Sequence, residues 1–218
     1  MVENPVTSQL GSRPAPVQRR GVLRAQAILD AAEQILAEEG YEASTLGAIG
    51  KRAGIPTPSV YHYFADRNEV DAALLERHGR DIDALVAEAA DDPELGTLRE
   101  VVDALIDPQL AYCREHPGVV ELWYAAGRSP MLVELEEAWG RAQAERLWRY
   151  LRERELIAED TPLLAVEVAY EAADRIFGVA FQRSETGDEA TIDEARRLMT
   201  AYLETYAPEA PKASKRRR

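Results

Sequence analysis

Residues 45–64, TLGAIGKRAGIPTPSVYHYF, constrain the fold more than any other stretch of the chain. Leu46, Ile49 and Ala53 recur at helical spacing and can face a core. Gly54 follows, where a helix end needs a left-handed residue. Thr57 can then cap a second helix with Pro58 at its first position, where a missing N–H costs nothing. Val60 and Phe64, four apart, point inward and leave Thr57, Ser59, His62 and Tyr63 outward. Two short helices joined by a tight turn make a helix-turn-helix pattern, whose second helix enters the major groove of DNA. The pattern predicts a DNA reader.

Composition raises one objection, a net charge of −13. Residues 1–64 carry six basic and six acidic side chains, whereas residues 65–210 are net −18 and residues 211–218 net +5. Repulsion from DNA is therefore weakest at the reading segment, and affinity should fall steeply with salt. No run of 18 apolar residues predicts a membrane span, and the polar N-terminus lacks the apolar stretch of a signal peptide. The single cysteine, Cys113, excludes an intrachain disulfide framework and suits a cytoplasmic protein.

The rest reads as helix. The expected architecture is all-α, a three-helix head over 19–65 followed by a six-helix body over 66–207, with a disordered arm (1–18) and a basic tail (208–218). Arg13, Arg19 and Arg20 of the arm either follow the minor groove or merely solvate. Helices are expected from Arg19 to Glu38, Asp66 to Ala90, Leu98 to Glu115, Pro117 to Ala126 and Ser129 to Glu155. Thr161-Pro162 and Thr191 with Glu194 read as the starts of the last two.

Residues 24–75 resemble the N-terminal domain of the tetracycline-repressor (TetR) family of bacterial transcriptional regulators. The resemblance rests on Ile28-Leu29-Asp30-Ala31-Ala32, Gly40-Tyr41, Ser44-Thr45, Ile49, Ala53-Gly54-Ile55, Val60-Tyr61-His62-Tyr63-Phe64 and Leu74-Leu75. Gly50 departs from the family's usual alanine and is expected to loosen the first helix of the motif by ~1 kcal/mol. Pro56 departs from a polar cap. The resemblance implies a homodimeric regulator, a repressor released from a pseudo-palindromic operator by a small, largely apolar effector.

Candidate residues follow. Thr57, Pro58, Ser59 and His62 are expected at base edges, with a plain first-turn role as the alternative for Pro58. Thr45, at a helix N-terminus, and Lys51 are expected at phosphates. Tyr61, Tyr63 and Arg67 join them through their match to family positions, Tyr63 having core packing as its alternative. Tyr112, Leu122, Trp123, Trp139, Trp148, Tyr170 and Phe177 are candidate effector contacts, each with core packing as the alternative. Val166, Ala173, Phe181, Ile192, Ala195, Met199 and Tyr202 form apolar stripes that read as core by spacing, and as dimer interface by resemblance. Gly178 and Ala172 would let the dimer helices approach. Cys113 and His116, three apart, read as ordinary helix residues; no metal, cofactor or enzymatic chemistry is expected.

Overall fold

The computed structural model describes residues 16–124 and 129–208, with side chains from Arg20 onward. The Arg13 and Arg19 side chains, Arg128 and the basic tail lie outside the described residues. Among the described residues the chain forms nine α-helices and no strand. These are α1 (Pro16–Glu39), α2 (Leu46–Ala53), α3 (Thr57–Val60), α4 (Arg67–Ala90), α5 (Leu98–Glu115), α6 (Pro117–Tyr124), α7 (Pro130–Glu153), α8 (Leu163–Arg183) and α9 (Glu189–Glu204). Helix α1 thus begins inside the stretch expected to be a disordered arm. No described helix is long and apolar enough to cross a membrane.

Side-chain caps set most helix starts. Asp66 accepts the Glu69 N–H at 3.1 Å, and Ser129 accepts that of Leu132 at 3.3 Å. Thr97 and Glu100 bond reciprocally at the head of α5, satisfying donors that a helix start otherwise leaves open. Three expected caps are corrected. Pro56 occupies the cap position of α3, so Thr57 is already helical. Pro162 occupies that of α8, and the Thr161 hydroxyl is buried with no hydrogen bond. Asp188 caps α9 by accepting the Thr191 N–H at 3.0 Å, starting that helix earlier than expected because a carboxylate lies three residues upstream.

Among the described residues, one hydrophobic core runs through head and body. In the head, Ile28, Ala32, Ile35 and Leu36 of α1 meet Ile49, Val60 and Leu74. Gly50 does not loosen this head. A Cβ there would lie 2.8 Å from the Ile55 carbonyl and 3.1 Å from Val60 Cγ2, so its bare Cα lets α2 and α3 cross closely. The same device joins head to body. A Cβ on Gly118 of α6 would stand 2.6 Å from the Glu33 carbonyl of α1.

In the body, α8 packs along α9. Val166, Ile192 and Ala195 are fully buried there, and Ala173, Phe181 and Met199 nearly so. This corrects the expected dimer contacts: six of those residues are already covered inside the protomer, because the most regular apolar stripes face each other across α8 and α9. Only Tyr202 keeps partial exposure. Gly178 likewise serves the protomer, since a Cβ there would strike the Tyr124 ring at 2.6 Å. The outer side of these helices instead exposes Leu164, Val168 and Leu198.

The tight junctions are testable. Gly118→Ala is expected to cost about 1–3 kcal/mol in denaturant unfolding, since the obstacle is backbone and cannot rotate away. Gly50→Ala should also destabilise, the reverse of what helix propensity alone predicts.

Candidate nucleic-acid interface and body cavity

The reading segment is built from the inside out. Thr45 caps α2 through its hydroxyl, which accepts the Ala48 N–H at 3.2 Å. Gly54 ends that helix in the left-handed region (φ 66°, ψ 27°), and the Ile55 N–H returns to the Gly50 carbonyl at 2.9 Å. The chain reverses at Pro56, whose carbonyl accepts the Ser59 N–H at 2.7 Å. Helix α3 is only Thr57–Val60, but Tyr63 and Phe64 bond to the Val60 carbonyl and carry the turn onward. Val60 and Phe64 anchor it in the core. That anchoring turns the neighbouring positions to solvent: Pro58, Tyr61 and His62 are exposed, Thr57 and Ser59 half-buried.

Around this turn, Thr45 and Lys51 are exposed on α2. Arg52, next to Lys51 on α2, is held by Glu38 and Glu39 of α1, at 2.8 and 2.7 Å. Tyr63 is half-buried against the core, its ring edge-on to His62 at 5.6 Å between centroids. Arg67 is placed differently from the expectation of a free phosphate ligand. Its guanidinium lies 3.6 Å over the Tyr41 ring, donates to the Tyr41 carbonyl and stands 3.4 Å from the buried Asp71. Tyr41 donates to the same carboxylate at 3.0 Å. Burial raises the Asp71 carboxyl above its ordinary value, while the Tyr41 hydroxyl and Arg67 pull it back.

The body holds a cleft of ≈620 Å³ between α4, α5, α7 and α8, within the size range of small-molecule sites. Val86, Leu105, Leu147, Tyr150 and Tyr170 give it apolar walls, and Asp83, Gln143 and Arg146 a polar end. That end is internally bonded: Asp83 accepts from Trp139 at 3.2 Å, from Arg146 at 2.9 Å, and from Gln143. Tyr170 also walls a second cavity of ≈200 Å³, with Trp123, Tyr124, Trp139, Glu171 and Asp174. Trp123 and Trp139 stack there, their centroids 5.9 Å apart.

Of the effector candidates, Tyr170, Trp123 and Trp139 therefore line cavities. Phe177 borders only a crevice of ≈30 Å³. Three others are corrected. Leu122 is closed in the core. Tyr112 is bonded to His78 at 2.8 Å. Trp148 donates to the Thr161 carbonyl at 2.9 Å under the Arg152 guanidinium. Sequence reading missed Tyr150, Gln143 and Arg146, because α7 was too evenly charged for its inward side to stand out. Cys113 is fully buried and its thiol is pushed up to about 12, chiefly by burial, which leaves it without nucleophilic character.

The sequence matches the family described as "Bacterial regulatory proteins, tetR family" over residues 28–74, and "Tetracyclin repressor-like, C-terminal domain" over 97–203. A TetR-family transcriptional regulator from Streptomyces coelicolor is 32% identical and superposes with a TM-score of 0.66, over 84% of this chain and 99% of that one. This protein belongs to the TetR family. It is a transcription regulator with a DNA-binding helix-turn-helix head, not an enzyme. Among curated TetR relatives, the regulator BetI of Cronobacter sakazakii is 26% identical, over 83% of this chain and 89% of its own. The regulator FadR of Bacillus subtilis, solved with stearoyl-CoA, shares the TetR fold at 18% identity and a TM-score of 0.65, over 82% of this chain and 97% of that one.

The Arg67 clasp yields a prediction. Arg67→Ala is expected to cost about 2–4 kcal/mol, because it strands the buried Asp71 charge. Arg67→Ala/Asp71→Ala should recover part of that loss. A residue serving only DNA phosphate would leave the unfolding midpoint unchanged.

Proposed function

We propose that the protein is a homodimeric repressor that binds a pseudo-palindromic operator and is released by a small molecule held in the body cleft. The observation that carries this reading is the course of α4. Its first turn, with Arg67 and Asp71, is clasped to Tyr41 in the head, while Asp83, Val86 and Ala87 wall the cleft on the same helix. A ligand that fits the cleft better in one position of α4 shifts the heads between two spacings, and its differential affinity sets the size of the shift. The fold neighbour FadR, solved with stearoyl-CoA, a ligand with a long apolar acyl chain, supports a small-molecule-binding role for this protein.

Within the head, Thr57, Pro58, Ser59 and His62 face base edges, and Thr45, Lys51, Tyr61 and Tyr63 hold phosphates. The outer faces of α8 and α9, with Leu164, Val168 and Leu198, meet their copies. Leu164 is 65% exposed and Val168 45%, one helical turn apart, an arrangement that a partner helix would cover.

A mobility-shift titration against the gene's own upstream DNA tests this. Sequence-selective binding that weakens steeply with salt is expected. Tyr61→Phe should weaken it on all sequences, whereas Ser59→Ala should change the sequence preference. Leu164→Glu with Val168→Glu should yield monomers by light scattering and lose operator binding. Equal binding to unrelated DNA would leave a helical ligand-binding protein without operator recognition.

A further inference from the structure

Two of the three histidines in the chain meet at the seam between head and body. His78 comes from α4 and His116 from the corner between α5 and α6, and both face Glu33 of α1. His116 Nδ1 lies 2.8 Å from Glu33 Oε1, and His78 Nε2 lies 3.9 Å from Glu33 Oε2, too far for a hydrogen bond. One donor atom from each residue falls within 4.8 Å of the others. We propose that Glu33, His78 and His116 bind a divalent first-row transition ion of the zinc type.

The donor set fits that class. Two imidazoles and a carboxylate are borderline ligands that select zinc-like ions over magnesium or calcium, with the fourth position left to water. Tetrahedral zinc holds such atoms about 3.3 Å apart, so the widest pair closes by at most about 1.5 Å while the His116–Glu33 pair opens by about 0.5 Å. The tautomer of His78 is already arranged. Tyr112 donates its hydroxyl proton to Asp81 at 3.2 Å and stands 2.8 Å from His78 Nδ1. With that proton committed, His78 Nδ1–H donates to the Tyr112 oxygen, and the Nε2 lone pair faces the Glu33 carboxylate. The facing Glu33 Oε2 accepts from Arg77, which leaves Oε1, now on His116, as the carboxylate's ligand atom for the ion. His78 is 2% exposed, so water does not substitute freely.

The surroundings hold the set in place. The Tyr112 ring stacks on His116 at 4.2 Å between centroids, orienting the second imidazole. Arg77 bonds to Glu33, and to Asp30 at 2.7 Å. In this hydrogen-bonded group Asp30, Glu33 and Asp81 outnumber Arg77 by two charges, which matches a dication. The ion displaces the His116–Glu33 hydrogen bond and leaves the Arg77 contact on the carboxylate's other oxygen. Its effect is to tie α1 to α4 and to the α5–α6 corner through metal bonds.

Cobalt(II) titration of chelator-treated full-length protein tests the site. One ion per chain, a visible ligand-field absorption and displacement by zinc are expected. Glu33→Gln and His116→Gln should each abolish the absorption while circular dichroism stays helical. Tyr112→Phe, which touches no metal, should weaken affinity about 10–100-fold by loosening His78. The proposal is overturned by an absence of stoichiometric binding to the wild type. It is also overturned by undiminished binding to helical Glu33→Gln, His116→Gln or Tyr112→Phe protein.

Discussion

The seam of α1 against α4 and α6 determines what the rest of this molecule can do. Gly118 brings α6 onto the Glu33 carbonyl, closer than any side chain allows. Arg77 of α4 reaches Asp30 and Glu33 on the same stretch of α1. Helix α1 is itself a wall of the head, through Ile28, Ile35 and Leu36. The head therefore cannot turn independently of the body. Contacts this close hold a few discrete arrangements, since packed interiors switch between states instead of deforming smoothly. Under the proposed function, α4 and this seam are the contacts that would couple the reading head to the body.

Electrostatics follow the same division. The acidic residues crowd the body and the head is neutral overall, so the field at the reading turn does not oppose approach to phosphates. Inside the head the charges are spent on structure. Arg52 holds α2 to α1, and Arg67 closes over Tyr41 and Asp71. Lys51 is left as an exposed cation near the turn, beside the hydroxyls and the imidazole.

Much of the fold is legible in the sequence, for local reasons. Asp66 and Ser129 each cap a helix three residues upstream of the N–H they serve, a relation that spacing reveals. The extents of α4 and α5 follow from their apolar period. Thr191 misleads because Asp188, three residues upstream, takes the cap, whereas Thr57 and Thr161 mislead because a proline with no side-chain cap bond occupies the cap position. The stripes of α8 and α9 are real, but periodicity cannot say which partner covers them. Here the partner is the neighbouring helix of the same chain. Gly50 shows the same limit: propensity scores a backbone alone, while its role depends on Ile55 and Val60 across the turn. The turn is readable only in part: Val60 and Phe64 face inward and His62 outward as spacing predicts, but Thr57 and Ser59 are half-buried and Tyr63 packs against the core instead of facing out. Arg67, Tyr150 and the Glu33–His78–His116 cluster are not readable, since each depends on residues far apart in sequence.

The central claim is that residues 57–64, held by this seam, read DNA as one of two symmetric heads. Hydroxyl-radical footprinting of the intact protein on its own upstream region tests it most directly. The account predicts two protected half-sites related by a dyad and centred about one helical turn apart, roughly 34–36 Å or a multiple of it. A single asymmetric footprint, or uniform protection without half-sites, would contradict it.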